Sequence, residues 1–173
     1  MAIQQFNALW AKKEDRIKLS IITSEDDCLK FWLTRFIVKS IIESYDSLMK
    51  SKLRGLYDGQ TSVLIQKIQK EKAESNFILS PTVLRDKKNL LGSGSLLVIG
   101  FDMIFQGDFL KFNLFLDNKK KVGVSMSTEQ ADAMVALIEK ISKTADWNIQ
   151  NLTRSESVEN LIFLTPKNKE SLH

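Results

Sequence analysis

Histidine and cysteine are nearly missing from this chain: there is one of each in 173 residues, Cys28 and the final residue, His173. One cysteine excludes an intrachain disulfide and fits a reducing compartment, so a cytoplasmic location is expected. A zinc site needs a cluster of Cys, His and carboxylates, which this pair cannot supply. No D-x-[DN]-x-[DN]-G calcium loop occurs either. A Cys–His nucleophile is out of reach for the same reason. Nor is there a G-x-S-x-G elbow, a Walker A loop or a dinucleotide fingerprint. Gly92-Ser93-Gly94 lacks the strand–loop–helix setting of a phosphate cradle. Long apolar runs are also missing, for Leu96 to Phe101 and Phe36 to Ile42 are too short or too interrupted to span a bilayer. Met1-Ala2-Ile3-Gln4-Gln5-Phe6 has no basic head before an apolar run, so no signal peptide is expected. Together these absences predict a chain with no catalytic residues, no metal and no cofactor.

What is present is ordinary for a globular domain. Hydrophobic residues make up 43% and charged residues 27%, which argues against disorder. The net charge of +4, with a pI of about 9.1, permits an acidic partner without requiring one. The expected organisation is a single domain over residues 1–165 with a loose tail over 166–173.

Periodicity supplies the elements. Phe6, Leu9 and Trp10 are spaced like one face of a turn, predicting a short helix within Met1 to Asp15. Arg16 to Thr23 alternates, with Ile17, Leu19 and Ile21 on one face of a strand. Ser24 as a cap and Glu25, Asp26 and Asp27 in a first turn predict a long helix from Glu25 to Arg54, stopped at Gly55. A cation site at those acids is the weaker reading. That helix would place Cys28 in its first turn, where the dipole lowers a thiol pKa. Its apolar stripe is broad, implying contacts on two sides. Thr61 to Glu74 reads as a second helix with Val63, Leu64 and Ile68 apolar. Ser80-Pro81 and Arg85 to Ser95 form the most linker-like stretch.

Leu97, Ile99, Phe101, Met103 and Phe105 then alternate on one strand. Leu110, Phe112, Leu114 and Leu116 follow on a second, and Val122, Val124 and Met126 on a third. Ser127-Thr128-Glu129-Gln130 fits a capping box for a helix carrying Ala131, Met134, Val135, Ile138 and Ile141 inward. Glu159 to Thr165 is a candidate edge strand. No internal repeat is evident. The fold class is therefore α+β: an antiparallel β-meander of three to five strands, joined by Arg16 to Thr23, packed against the long helix and a C-terminal helix.

Two surfaces offer function. Phe31-Trp32-Leu33-Thr34-Arg35-Phe36 on the expected long helix brings together residue types favoured at protein interfaces, and Trp32, Arg35 and Lys39 form the candidate partner-binding set, for another protein or for self-association. Core packing is the alternative for the aromatics. On the meander, Phe109, Lys111, Phe115 and Lys121 share the odd-numbered face, with Lys119 and Lys120 at a hairpin tip. That is a candidate platform for single-stranded nucleic acid. The alternative there is an edge kept soluble by lysines.

Phe31 to Arg35 and Ala145-Asp146-Trp147, in the order strand, FWLTR, meander and capped helix ending in A-x-W, resemble a group of small uncharacterised bacterial proteins with no assigned activity. The resemblance implies a bacterial or phage origin. The group's paired arginine is replaced here, since Phe36 follows Arg35. The leading expectation is a non-enzymatic interaction or adaptor module, and the second is a nucleic-acid binder.

Overall fold

The computed structural model describes residues 3–25, 27–76, 88–92 and 94–149. Strand β1 spans Ile3–Ala11, β2 Arg16–Thr23 and β3 Asp27–Thr34. Helices α1 (Arg35–Arg54) and α2 (Gly59–Asn76) follow. Then come β4 (Lys88–Asn89), β5 (Leu96–Gln106), β6 (Phe109–Leu116), β7 (Lys121–Ser127) and α3 (Thr128–Thr144). The fold is α+β. The sheet runs β1-β2-β3-β5-β6-β7, with β4 beside β3. It is mostly antiparallel, but β5 lies parallel to β3, with Phe31 beside Leu96 and Trp32 beside Leu97. A parallel pair needs a crossover, and α1 and α2 provide it. Each half of the chain is a three-stranded meander leading straight into a helix, although the sequence shows no repeat.

The opening segment is a strand, not the expected short helix. Phe6, Ala8 and Trp10 face the core in alternation, while Leu9 points outward and is more than half exposed. The small Ala8 hides this alternation, and the out-of-phase Leu9 imitates a helical turn. The expected long helix is divided in the same way. Residues 27–34 form β3, with Leu29, Phe31 and Leu33 inward, and the helix begins only at Arg35. Its cap is Thr34, whose Oγ1 accepts from the Ile37 N–H at 3.3 Å. Ser24 and Glu25 lie in a turn, so Cys28 sits buried on a strand, opposite Ile22, and meets no helix dipole.

The breadth of the apolar stripe is now explained. A strand apolar on both faces runs directly into a helix that packs against β3, β5, α2 and α3. Helix α2 turns Ser62 and Ile65 toward the core and leaves Leu64 and Ile68 more than half exposed, opposite to the expected phase. Asp58 opens α2 by accepting from the backbone N–H groups of Thr61 and Gln60, and the Thr61 bond holds its carboxyl below the usual carboxylate range. Part of the expected linker is ordered. Asn89 accepts from the Leu91 N–H and donates to the Gly94 carbonyl at 2.7 Å, around Gly92 at φ 106°. Residues 77–87 and 93, the expected strand from Glu159 to Thr165, and the tail lie outside the described residues.

Helix α3 carries the expected capping box: Gln130 N–H donates to Ser127 Oγ, and Ser127 N–H to Gln130 Oε1. Gln130 Nε2 also donates to the Ile3 carbonyl at 3.0 Å. Because α3 packs against both β1 and β7, the two ends of the sheet, the sheet curls around it. All three helices stack on this concave side.

One cross-helix bond makes a measurable prediction. Tyr45 on α1 donates its hydroxyl to Asp132 Oδ1 on α3 at 2.8 Å. Burial first, and the Asp132 charge second, push the phenol far above its ordinary value. The folded chain thus holds this proton more tightly than the unfolded one. Its contribution is complete below the ordinary tyrosine range and falls progressively as pH rises from there toward the raised folded value. Tyr45→Phe is expected to lower stability by about 1–2 kcal/mol at neutral pH. It should also flatten the alkaline limb of the stability profile, read from urea melts at stepped pH.

Candidate functional site

The convex face of the sheet is closed over at Ile22 and Cys28 of β2 and β3, both fully buried, and opens along β5–β7, which holds the expected platform. Alternation along β6 places Phe109, Lys111, Asn113 and Phe115 outward. Ser127, Ser125, Gly123 and Lys121 of β7 stand beside them in register. On the other side β5 contributes Gln106, Ile104, Asp102 and Gly100. The sequence-derived set Phe109, Lys111, Phe115 and Lys121 therefore does share one face. Lys119 and Lys120 lie in the turn before Lys121, where Lys119 adopts φ 65° and the Lys120 N–H is held by Asn118 Oδ1 at 3.1 Å.

The centre of this face is polar and internally paired. Asn113 donates its side-chain amide to Asp102, and Lys121 Nζ stands 3.5 Å from the same carboxylate. Gly123 leaves the room that Asn113 needs, because a Cβ there would lie 2.8 Å from Asn113 Oδ1. Lys121 also sits 5.1 Å above the Phe115 ring, which is half-buried.

Around this centre lie exposed apolar side chains, of which sequence reasoning assigned Phe109 to the face but not Ile99 and Ile104. Ile99 is 54%, Ile104 53% and Phe109 58% exposed. A bulge between Val98 and Gly100 shifts the phase of β5. Phe101, Met103 and Phe105 pack inward as expected. Leu97, beside Trp32, and Ile99 do not share their face, and Val98 is buried instead. The pattern on the even positions Ile104 and Gln106 was visible, but the larger inward residues dominated it. A further row, Leu9, Lys18, Trp32 and Leu97, crosses β1, β2, β3 and β5 on the convex face.

The other predicted set does not come together. Trp32 is on a strand, half-buried on the convex face with Lys18 Nζ 5.7 Å from its ring. Lys39 belongs to α1 on the opposite side of the sheet, 3.8 Å from Glu43. Arg35, in the first turn of α1, bonds Asp15 at 3.3 Å and lies 5.5 Å over the Trp147 ring. Among the described residues no group of three His, Cys, Asp or Glu is placed to hold a metal ion, and no helix is long and apolar enough to cross a membrane. No protein family, curated protein or solved structure matches the chain.

Proposed function

We propose that this chain is a non-enzymatic interaction module, an adaptor whose docking surface is the convex face of β5–β7. The observation that carries the reading is the exposure of Ile99, Ile104 and Phe109 along β5 and β6. Ile104 and Phe109 are diagonal neighbours across β5 and β6, and exposed apolar side chains brought together in this way mark protein-interaction sites. Lys111, Lys119, Lys120 and Lys121 border them and favour an acidic rim on the partner. No cofactor is needed for this role.

The second reading, single-stranded nucleic acid, draws on the same lysines and on Phe109 and Phe115. Two features weigh against it. Phe109 and Phe115 are six positions apart along one strand, about 20 Å, too far to stack neighbouring bases. Asp102 sits between them and repels phosphate. The aliphatic Ile99 and Ile104 suit a protein surface better than a base.

The decisive comparison is an Ile104→Asp, Phe109→Asp double variant against the wild type. Both side chains are solvent-facing, so the melting temperature should stay within a few degrees while capture of the partner from source-cell extract is lost. Equal capture by both proteins removes this face from the reading. A salt-sensitive gel shift with an oligonucleotide, abolished by neutralising Lys119, Lys120 and Lys121, would transfer the assignment to nucleic acid.

A further inference from the structure

The edge of the sheet at β7 carries an inference independent of the face. Among the described residues β7 is hydrogen-bonded only to β6. The hairpin sets which backbone groups point where. The Leu116 N–H donates to the Lys120 carbonyl at 2.9 Å, so that pair faces inward across the ladder. Antiparallel pairs alternate between bonded and non-bonded. The pairs Phe115–Lys121, Asn113–Gly123 and Lys111–Ser125 are then the non-bonded ones. The N–H and C=O groups of Lys121, Gly123 and Ser125 consequently point away from β6, toward a position that no described strand occupies.

Natural edges are usually blunted by proline, bulges or inward charges. Strand β7 has no proline, and its pairing with β6 shows no bulge. Its concave side presents Val122, Val124 and Met126, and its one charge is Lys121 at the start. The opposite edge is defended: β1 has an irregularity between Ile3 and Gln5, and Gln130 occupies the Ile3 carbonyl. A head-to-tail β1–β7 contact is thereby disfavoured, which leaves the self-complementary arrangement.

We infer that two copies of this chain pair antiparallel through β7, about a two-fold axis at Val124. In that register Val124 faces the partner's Val124, Val122 the partner's Met126, and Gly123 the partner's Ser125. Lys121 meets the partner's Ser127, so no like charges oppose each other. The apolar row on the concave side continues across the axis. The hydrogen bonds come from Gly123 and Ser125, and they stop at Ser127, whose N–H is already given to Gln130. The two convex faces join into one, which presents the docking surface twice.

Sedimentation equilibrium on the full chain tests this. The wild type should run at twice the chain mass across the micromolar range. Ser125→Pro removes an N–H that β6 does not use, so the circular dichroism should persist while the mass falls to that of one chain. A second arm keeps the register testable should that variant misfold. In a Cys28→Ala background, Val124→Cys should oxidise to a covalent dimer, because non-bonded partners have Cα atoms about 4.5 Å apart, within disulfide reach. Lys121→Cys should not. A wild type that remains at one chain mass overturns the proposal, as does a dimer that survives Ser125→Pro without cross-linking at position 124. The Ile104→Asp, Phe109→Asp variant should stay dimeric, which separates failure of this inference from failure of the docking face.

Discussion

Phe31→Ala should lower the unfolding free energy by about 3–5 kcal/mol, whereas its neighbour Trp32→Ala should cost about 1 kcal/mol or less. Phe31 is fully buried, opposite Leu19 on β2 and beside Leu96 on β5. It fills the seam where the two meanders meet in the only parallel pairing that carries the main path of the sheet among the described strands. Truncation there removes a ring and leaves a cavity in the core beneath the sheet, with β3 unable to close the gap while bonded on both sides. Trp32 points to the convex face, half-buried, with Lys18 over its ring. Water and Lys18 replace most of what it loses. Adjacent residues differing this much is the signature of a strand. On a helix with the broad apolar stripe expected from the sequence, both would have been buried. Guanidinium melts with matched m-values would read the difference directly.

The same stretch shows where the sequence is legible and where it is not. Strands with one apolar face, such as Leu110 to Leu116, and a helix with a complete capping box, such as the one after Ser127, could be placed from periodicity and caps alone. Residues 27–34 could not. Cys28, Leu29, Phe31, Trp32 and Leu33 are apolar on both sides of the pleat, and no glycine or proline separates them from the helix that begins at Arg35. Period two and period 3.6 therefore merge into one apparent stripe. Thr34 was the available signal, since a threonine that ends a strand also caps the helix after it. The meander face was legible because alternation set Phe109, Lys111, Phe115 and Lys121 together. Ile99 was not, because a bulge changes the phase of β5 without leaving a turn residue to announce it. Trp32, Arg35 and Lys39 were grouped by linear proximity, and a strand-to-helix junction sends such neighbours to different sides.

Arg35 also leads to the second large effect, Trp147→Ala, expected at about 3–5 kcal/mol. Trp147 lies two residues beyond the Ala145 cap of α3 and is almost wholly buried in the core. Its indole N–H donates to Asp15 Oδ1 at 2.7 Å, and Arg35 stacks 5.5 Å over its ring while bonding Asp15 Oδ2. Three distant pieces converge here: the β1–β2 turn, where Asp15 holds a left-handed φ of 45°, the start of α1, and the end of α3. The burial and the polar contacts contribute unequally. The Arg35–Asp15 pair is about half exposed on both sides and should be worth under about 1 kcal/mol. Trp147→Phe keeps most of the apolar volume and gives up the indole bond, so about 1 kcal/mol is expected. The order of loss should be Trp147→Ala, then Trp147→Phe, then Arg35→Ala. A double-mutant cycle between Trp147→Phe and Asp15→Ala isolates the hydrogen bond from the packing. If Trp147→Phe proves as damaging as Trp147→Ala, the indole–carboxylate bond and not the buried ring holds the end of α3 to the first hairpin.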